Sequence, residues 1–166
     1  MRLLITGVCG FVGSGLATWF RQHKPSFELV GIDNFIRPGS ETNRMTLKFL
    51  GVAVHHGDVR NASDFENLPK VDWVIDAAAN PSVLAGADDR TSSRQLVEHN
   101  LQGTLNMLEY CKRIKAGLVL LSTSRVYSIR ALSSLPLVER ALTFEWEEGS
   151  TSVAGASRNG LDVDFS

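Results

Sequence analysis

Between Leu3 and Ala17 the chain runs Leu-Leu-Ile-Thr-Gly-Val-Cys-Gly-Phe-Val-Gly-Ser-Gly-Leu-Ala, an order that few folds accommodate. The apolar stretch closing on Thr6 predicts a short strand. Gly7, Gly10 and Gly13 then recur at every third position, and an amphipathic helix follows. Such a turn presents backbone N–H groups and a helix N-terminus to a phosphate. Gly7 makes the tight turn out of the strand, Gly10 lets backbone approach a pyrophosphate, and Gly13 lets the helix pack closely on the strand. A glycine triplet alone is a weak signal. Its strand and helix give it weight, as does Asp33, twenty residues past Gly13 at the end of a second predicted strand.

The remaining pattern alternates strand and helix, which predicts an α/β fold: a doubly wound parallel sheet covered on both faces. Strands are expected at Arg2–Thr6, Phe27–Ile32, Val52–His55, Val71–Ala77 and Leu118–Ser122. A helix over Phe11–His23 would turn Val12, Leu16, Trp19 and Phe20 to the sheet, and a second would run from Ser40 or Glu41 to about Leu50. A short helix near Ala62–Leu68 has Asn61 as its cap. The longest, about Ser92–Ile114, carries its apolar residues at Leu96, Val97, Leu101, Leu105 and Leu108. After Tyr127 no periodicity holds. Residues 1–127 therefore read as a nucleotide-binding domain, and 128–166 as an irregular segment of the kind that forms lids and binding loops.

Composition narrows the function classes. The 166 residues are 43% hydrophobic and 21% charged, with a net charge of −1. That balance offers no electrostatic footprint for nucleic acid or an anionic membrane, and no apolar run approaches the roughly 20 residues of a membrane helix. Two cysteines, Cys9 and Cys111, fit a reducing cytoplasm. Cys9 reads as a small buried filler beside the phosphate loop. The four histidines make no metal-ligand spacing with each other or with the cysteines, and no nucleophile elbow supports hydrolysis.

Candidate ligand residues cluster at the predicted strand ends. Asp33 can accept both ribose hydroxyls of an adenosine and repels a 2′-phosphate, which favours NAD over NADP; nearby Arg37 pulls the other way. Asp58 can accept from an adenine amino group while the Val59 N–H meets the ring, or it can form an Asx turn. Ala77, Ala78 and Ala79 let a flat cofactor lie against backbone, or simply pack tightly. Asn80-Pro81-Ser82-Val83 begins a loop that can line a cleft, and Asn100 can tie the long helix to a neighbouring loop. Ser122 and Thr123 end the fifth strand, where a hydroxyl can orient a substrate alcohol or cap the strand.

Together these residues resemble the extended short-chain dehydrogenase/reductases, the NAD-dependent nucleotide-sugar epimerases and dehydratases. The resemblance lies in Thr6-Gly7-Val8-Cys9-Gly10-Phe11-Val12-Gly13-Ser14, Asp33-Asn34, Gly57-Asp58-Val59-Arg60, the Ala77–Ala79 run, Asn100-Leu101-Gln102-Gly103-Thr104 and Leu121-Ser122-Thr123-Ser124-Arg125-Val126-Tyr127. Arg37-Pro38-Gly39-Ser40 and Ser122-Thr123 resemble its CDP-tyvelose (CDP-paratose 2-) epimerase branch. The resemblance implies a Rossmann-like sheet of order 3-2-1-4-5, with Gly7, Gly10 and Gly13 on the pyrophosphate and the N–H groups of Phe11 and Val12 at the helix start. Asp33 and Asn34 would take the ribose, Asp58 and Val59 the adenine, and Ala77–Ala79 with Ser122 the nicotinamide side. Thr123 stands at the catalytic Ser/Thr position, and a nucleotide sugar is the implied substrate. A dehydratase would want acidic residues just after Thr123, where Ser124 and Arg125 stand.

One departure is large. The family's general base is a Tyr with Lys four residues on, whose charge lowers the phenol pKa. Here Ile114 follows Tyr110 at that spacing, and Ala131 follows Tyr127. Asn159–Ser166 resembles the segment that precedes the family's Tyr-x-x-x-Lys helix. A lesser departure is Ser128, where the family commonly has Gly. The expectation is therefore a C-terminally truncated, cofactor-binding portion that binds NAD weakly or not at all, does not turn over alone and is poorly soluble. A homodimer belongs to the complete enzyme, and a non-catalytic NAD-binding module is the alternative.

Overall fold

The computed structural model describes residues 1–82, 92–123 and 126–165. Val83, Ser124, Arg125 and Ser166, which enter the sequence reading, lie outside the described residues. The chain divides into two compact units, Met1–Leu121 and Ser122–Ser166.

In the first unit, β1 (Arg2–Thr6), β2 (Glu28–Asp33), β3 (Ala53–His56), β4 (Trp73–Asp76) and β5 (Gly117–Leu120) form one sheet of order β3-β2-β1-β4-β5. Every pairing is parallel. The doubly wound, Rossmann-like order is the expected one; β1 has the expected bounds, and the other strand ends are moved by one or two residues. Helix α1 (Phe11–His23) joins β1 to β2, and α2 (Ser40–Phe49) joins β2 to β3. Alternation along the strands builds two apolar layers. Leu3, Ile5, Leu29 and Ile75 pack with Val8, Ala17 and Leu47 on one face. Leu4, Val30, Ile32 and Val74 pack with Phe65, Met107 and Tyr110 on the other. Helices on both faces explain why β1, β2 and β4 are apolar on both sides through their middle residues.

Helix faces differ from the sequence reading. Along α1 the buried residues are Gly13 and Ala17, with Leu16 and Phe20 at their margin, whereas Val12 and Trp19 are about half exposed. The cause is the close approach at Gly13, where a Cβ would stand 2.2 Å from the Gly7 carbonyl oxygen. The stripe 13-16-17-20 therefore faces the sheet, and Trp19 stacks on His23 instead.

The long helix is not continuous. α3 (Ser93–Val97) runs into a π-helical turn at Glu98–Gln102 and then α4 (Gly103–Ile114). The wider turn breaks the phase of the apolar pattern. Gly103, Met107, Tyr110 and Cys111 are buried, while Val97, Leu101, Leu105 and Leu108 are exposed and Leu96 is half-buried. Tyr110 tolerates burial because its hydroxyl donates to the Pro69 carbonyl at 2.9 Å. The expected helix near Ala62–Leu68 is a single 3₁₀ turn at Ala62–Phe65, and no Asn61 side-chain bond caps it.

The second unit consists of short pieces, as its composition predicts. Ser128 caps α5 (Ile129–Ser133) by accepting from the Ala131 N–H. Two small antiparallel pairs follow, β6 (Leu137–Glu139) with β7 (Phe144–Trp146), and β8 (Ala156–Ser157) with β9 (Gly160–Leu161). Tyr127 packs edge-on against Phe165 and donates its hydroxyl to the Asp162 carbonyl.

Candidate functional site

In the sheet, β1 leads through α1 to β2 on one side and has β4 on the other. The connections therefore part above the carboxyl ends of the strands, where such sheets bind ligands. Gly7 turns out of β1 at φ +58°. A Cβ on it would meet Ala78 Cα at 3.0 Å and the Ala77 carbonyl oxygen at 3.1 Å. The Gly10 N–H closes the turn on the Gly7 carbonyl at 2.9 Å. Gly10 then caps α1 without a side chain, and no acid occupies the first turn. The N–H groups of Phe11 and Val12 consequently have no acceptor among the described residues, leaving a seat for an anion. Cys9 is fully buried beneath this loop, and burial, reinforced by the Asp33 charge, pushes its thiol up to about 11. It is filler, as expected, and not a reactive thiol.

At the end of β2, Asp33 is 8% exposed. Its Oδ2 accepts from the Cys9 N–H at 2.9 Å, and its Oδ1 accepts from the Phe35 N–H at 2.8 Å. Each carboxylate oxygen has two acceptor positions, so one remains on each for a ligand's hydroxyls. Phe35, at φ +55°, stacks on His56 and lies under the Arg44 guanidinium. Arg37 is exposed, and its carbonyl is held by the Ser40 N–H and hydroxyl.

Beyond β3, Asp58 is engaged more completely. Oδ1 accepts from the Arg60 N–H and Nε, and Oδ2 accepts from Arg60 Nη2 at 2.6 Å and Asn34 Nδ2 at 2.9 Å. Burial works to raise its pKa, but these bonds outweigh it and hold the carboxyl at about 2. The Asx turn weighed from the sequence is present, made by the Arg60 N–H. The Val59 N–H has no acceptor among the described residues, and the carbonyls of Val59 and Arg60 both accept from Asn106 Nδ2.

After β4, the N–H groups of Ala77 and Ala78 converge on Thr6 Oγ1; Ala79 is exposed. Asn100 ties the π-helical turn to the loop, its amide bonding both the N–H and the carbonyl of Asn80. It is exposed rather than buried as a structural amide would be. Ser122 and Thr123 are exposed and open the second unit, directly following Leu121.

The first unit thus brings Gly7, Gly10, Phe11, Val12, Gly13, Asp33, Asn34, Asp58, Val59, Ala77, Ala78 and Ala79 to the carboxyl edge of one sheet. Sequence reasoning missed Thr6, Asp76 and Asn106. The visible signal for the first two was a Thr and an Asp closing otherwise apolar strands. Open N–H donors at a helix N-terminus, together with a carboxylate that keeps a free acceptor position on each oxygen, suit a dinucleotide's phosphates and ribose. Among the described residues no cluster could hold a metal ion, and no helix is long and apolar enough to cross a membrane.

Known proteins resemble this chain in sequence and in fold. Residues 3–146 match the model of the NAD dependent epimerase/dehydratase family. The CDP-paratose 2-epimerase of Salmonella typhi is 35% identical over 134 residues, covering 76% of this chain and 38% of that protein. The dTDP-D-glucose 4,6-dehydratase of Dictyostelium discoideum is 30% identical over 131 residues, covering 76% and 30%. Among solved structures, the Bacillus cereus UDP-glucuronic acid 4-epimerase, crystallised with NAD and a fluorinated UDP-glucuronic acid, superposes with a TM-score of 0.66. It is 32% identical, over 77% of this chain and 42% of that one. The chain spans less than half the length of these relatives. It belongs to the NAD-dependent epimerase/dehydratase family, with NAD as the family's cofactor.

Proposed function

We propose that this chain carries the NAD-binding part of a nucleotide-sugar epimerase. Its turn at Gly7, Gly10 and Gly13 and the N–H groups of Phe11 and Val12 hold the pyrophosphate. Asp33 and Asn34 take the adenosine ribose, Val59 and Asp58 the adenine, and Ala77, Ala78 and Ala79 flank the nicotinamide half. Held by these residues, NAD would supply reversible hydride transfer at a sugar carbon, the redox chemistry by which an epimerase inverts that carbon. Thr123 orients the sugar hydroxyl. Two unpaired buried cysteines support a cytoplasmic location.

The observation that carries this reading is Asp33, buried and already accepting two loop N–H groups, with one acceptor position left on each oxygen. A carboxylate so placed suits a ribose diol and repels a 2′-phosphate. Arg44 lies over the Phe35 ring, and both it and Arg37 are exposed. The likeness to the Salmonella typhi CDP-paratose 2-epimerase supports the sugar class.

One observation favours a second reading, an NAD-binding module without turnover. Both tyrosine hydroxyls donate to backbone carbonyls, Tyr110 to Pro69 and Tyr127 to Asp162, and neither has a Lys at the fourth following position. The test is to titrate the full-length protein with NAD and NADP and to assay it on CDP-, UDP- and dTDP-sugars. NAD binding with formation of an epimer of the supplied sugar supports the epimerase reading. Formation of a 4-keto-6-deoxy sugar makes it a dehydratase, and NAD binding with no turnover makes it the module. Failure to bind NAD overturns all three.

A further inference from the structure

The phosphate loop creates a backbone problem at the ends of β1 and β4. The two strands pair rung by rung as far as Thr6 and Asp76. At Gly7 the first strand leaves the ladder, and the N–H groups of Ala77 and Ala78, just past the last rung, need acceptors of their own. Both turn to one atom, Thr6 Oγ1, at 3.0 Å each. A hydroxyl has two acceptor positions and one proton. With both positions filled, the proton goes to Asp76 Oδ1 at 2.5 Å. Thr6 is fully buried and Asp76 is 5% exposed, so bulk water is a poor substitute for the carboxylate.

We infer that Asp76 is a positioning residue for the dinucleotide site: by accepting the Thr6 proton it fixes that hydroxyl as a double acceptor and holds the Ala77–Ala78 backbone against Gly7. The inference rests on reading this edge of the sheet as the NAD site. Contact between the two segments is already tight, with no room for a Cβ on Gly7 against Ala78. A displaced β4 end therefore alters the surface on which the nicotinamide half lies. The adenosine half, held at Asp33 and Val59, does not depend on Thr6. Burial raises the pKa of Asp76, while the bond from the Thr6 hydroxyl and the nearby Ala78 N–H dipole lower it. Acceptance at Oδ1 does not require the charge, because a neutral carboxyl or amide keeps an acceptor oxygen. The role is thus one of hydrogen-bond direction.

The full-length protein and its Asp76→Leu, Asp76→Asn, Thr6→Val and Thr6→Ser variants are titrated calorimetrically with NAD and, separately, with ADP. Asp76→Leu and Thr6→Val should each weaken NAD binding about tenfold, the scale set by orphaned buried donors. Their ADP affinity should stay within about twofold, a control that also reports a folded site. Asp76→Asn and Thr6→Ser should bind NAD within about threefold of wild type. Unchanged NAD affinity in Asp76→Leu overturns the inference. So do equal losses for NAD and ADP, or a loss in Asp76→Asn as large as in Asp76→Leu. Wild-type protein that binds ADP but not NAD, or binds neither, overturns instead the dinucleotide reading beneath it.

Discussion

Two carboxylates stand at the ends of neighbouring strands, Asp33 after β2 and Asp58 after β3, and they are held in opposite ways. Asp33 receives one backbone N–H on each oxygen and no charged partner. Asp58 receives four donors, three of them from Arg60, and its acceptor positions are full. Asp33 is fixed in place yet keeps capacity for a ligand, whereas Asp58 can offer an adenine amino group a position only if Arg60 or Asn34 yields one. Residue type and location are alike. The count of donors already present separates a carboxylate ready for a ligand from one that mainly orders its own loop.

The contrast is broken most directly at Asp33. Replacing Asp33 with Ala strips the Cys9 and Phe35 N–H groups of their acceptor and, on the proposed reading, removes two charge-assisted bonds to the ribose. NAD affinity of the full-length protein should fall on the order of a hundredfold by calorimetric titration. Affinity within a few-fold of wild type would place the ribose elsewhere. Asp58→Ala should cost less, about tenfold or below, because any adenine bond there is made in exchange for one to Arg60. A loss at Asp58 equal to that at Asp33 would show that Arg60 gives way freely, and the contrast would vanish.

Acid unfolding sharpens the same comparison. The Asp58 carboxyl is held at about 2, against 3.8 unperturbed. Its stabilising contribution is therefore complete above pH 3.8 and is lost as pH falls through about 2. In an Arg60→Leu variant Asp58 loses both guanidinium bonds and keeps the Asn34 bond and the backbone N–H of residue 60, so this contribution shrinks. Urea unfolding should find wild type more stable than the variant at pH 5, with the gap closing as pH approaches 2. A gap that stays constant over that range would mean the Arg60–Asp58 pair does not differ between folded and unfolded chains.

What could be read in advance follows from the range of the interactions involved. Strand positions, the glycine turn and Asp33 were legible because each depends on local sequence: apolar runs, a glycine spacing and one acid at a strand end; the strand order came with the family resemblance. The faces of α1 and α4 were not. In both helices the inward stripe is built on a glycine, Gly13 or Gly103, whose value is closeness and not hydrophobicity. A π-helical turn at Glu98–Gln102 also shifts the phase of the second helix. The Thr6–Asp76 pair was hidden for a different reason. Seventy residues separate its members, and only the register of β1 on β4 puts them on one rung. Likewise, nothing local says that Arg60 will fold back on Asp58 and fill its acceptor positions.

Cys9 gives the smallest expected effect and isolates backbone from side chain at Asp33. The N–H of Cys9 feeds Asp33 Oδ2, while its thiol is fully buried in the layer with Leu3, Ile5 and Val8. Cys9→Ala keeps the first interaction and removes the second. Thermal unfolding should show a loss of about 1 kcal/mol, the scale of one buried group of this size, with NAD affinity within about twofold of wild type. If affinity falls in step with stability, the loop is held by the Cys9 side chain as much as by Asp33. The carboxylate would then be following the loop rather than anchoring it.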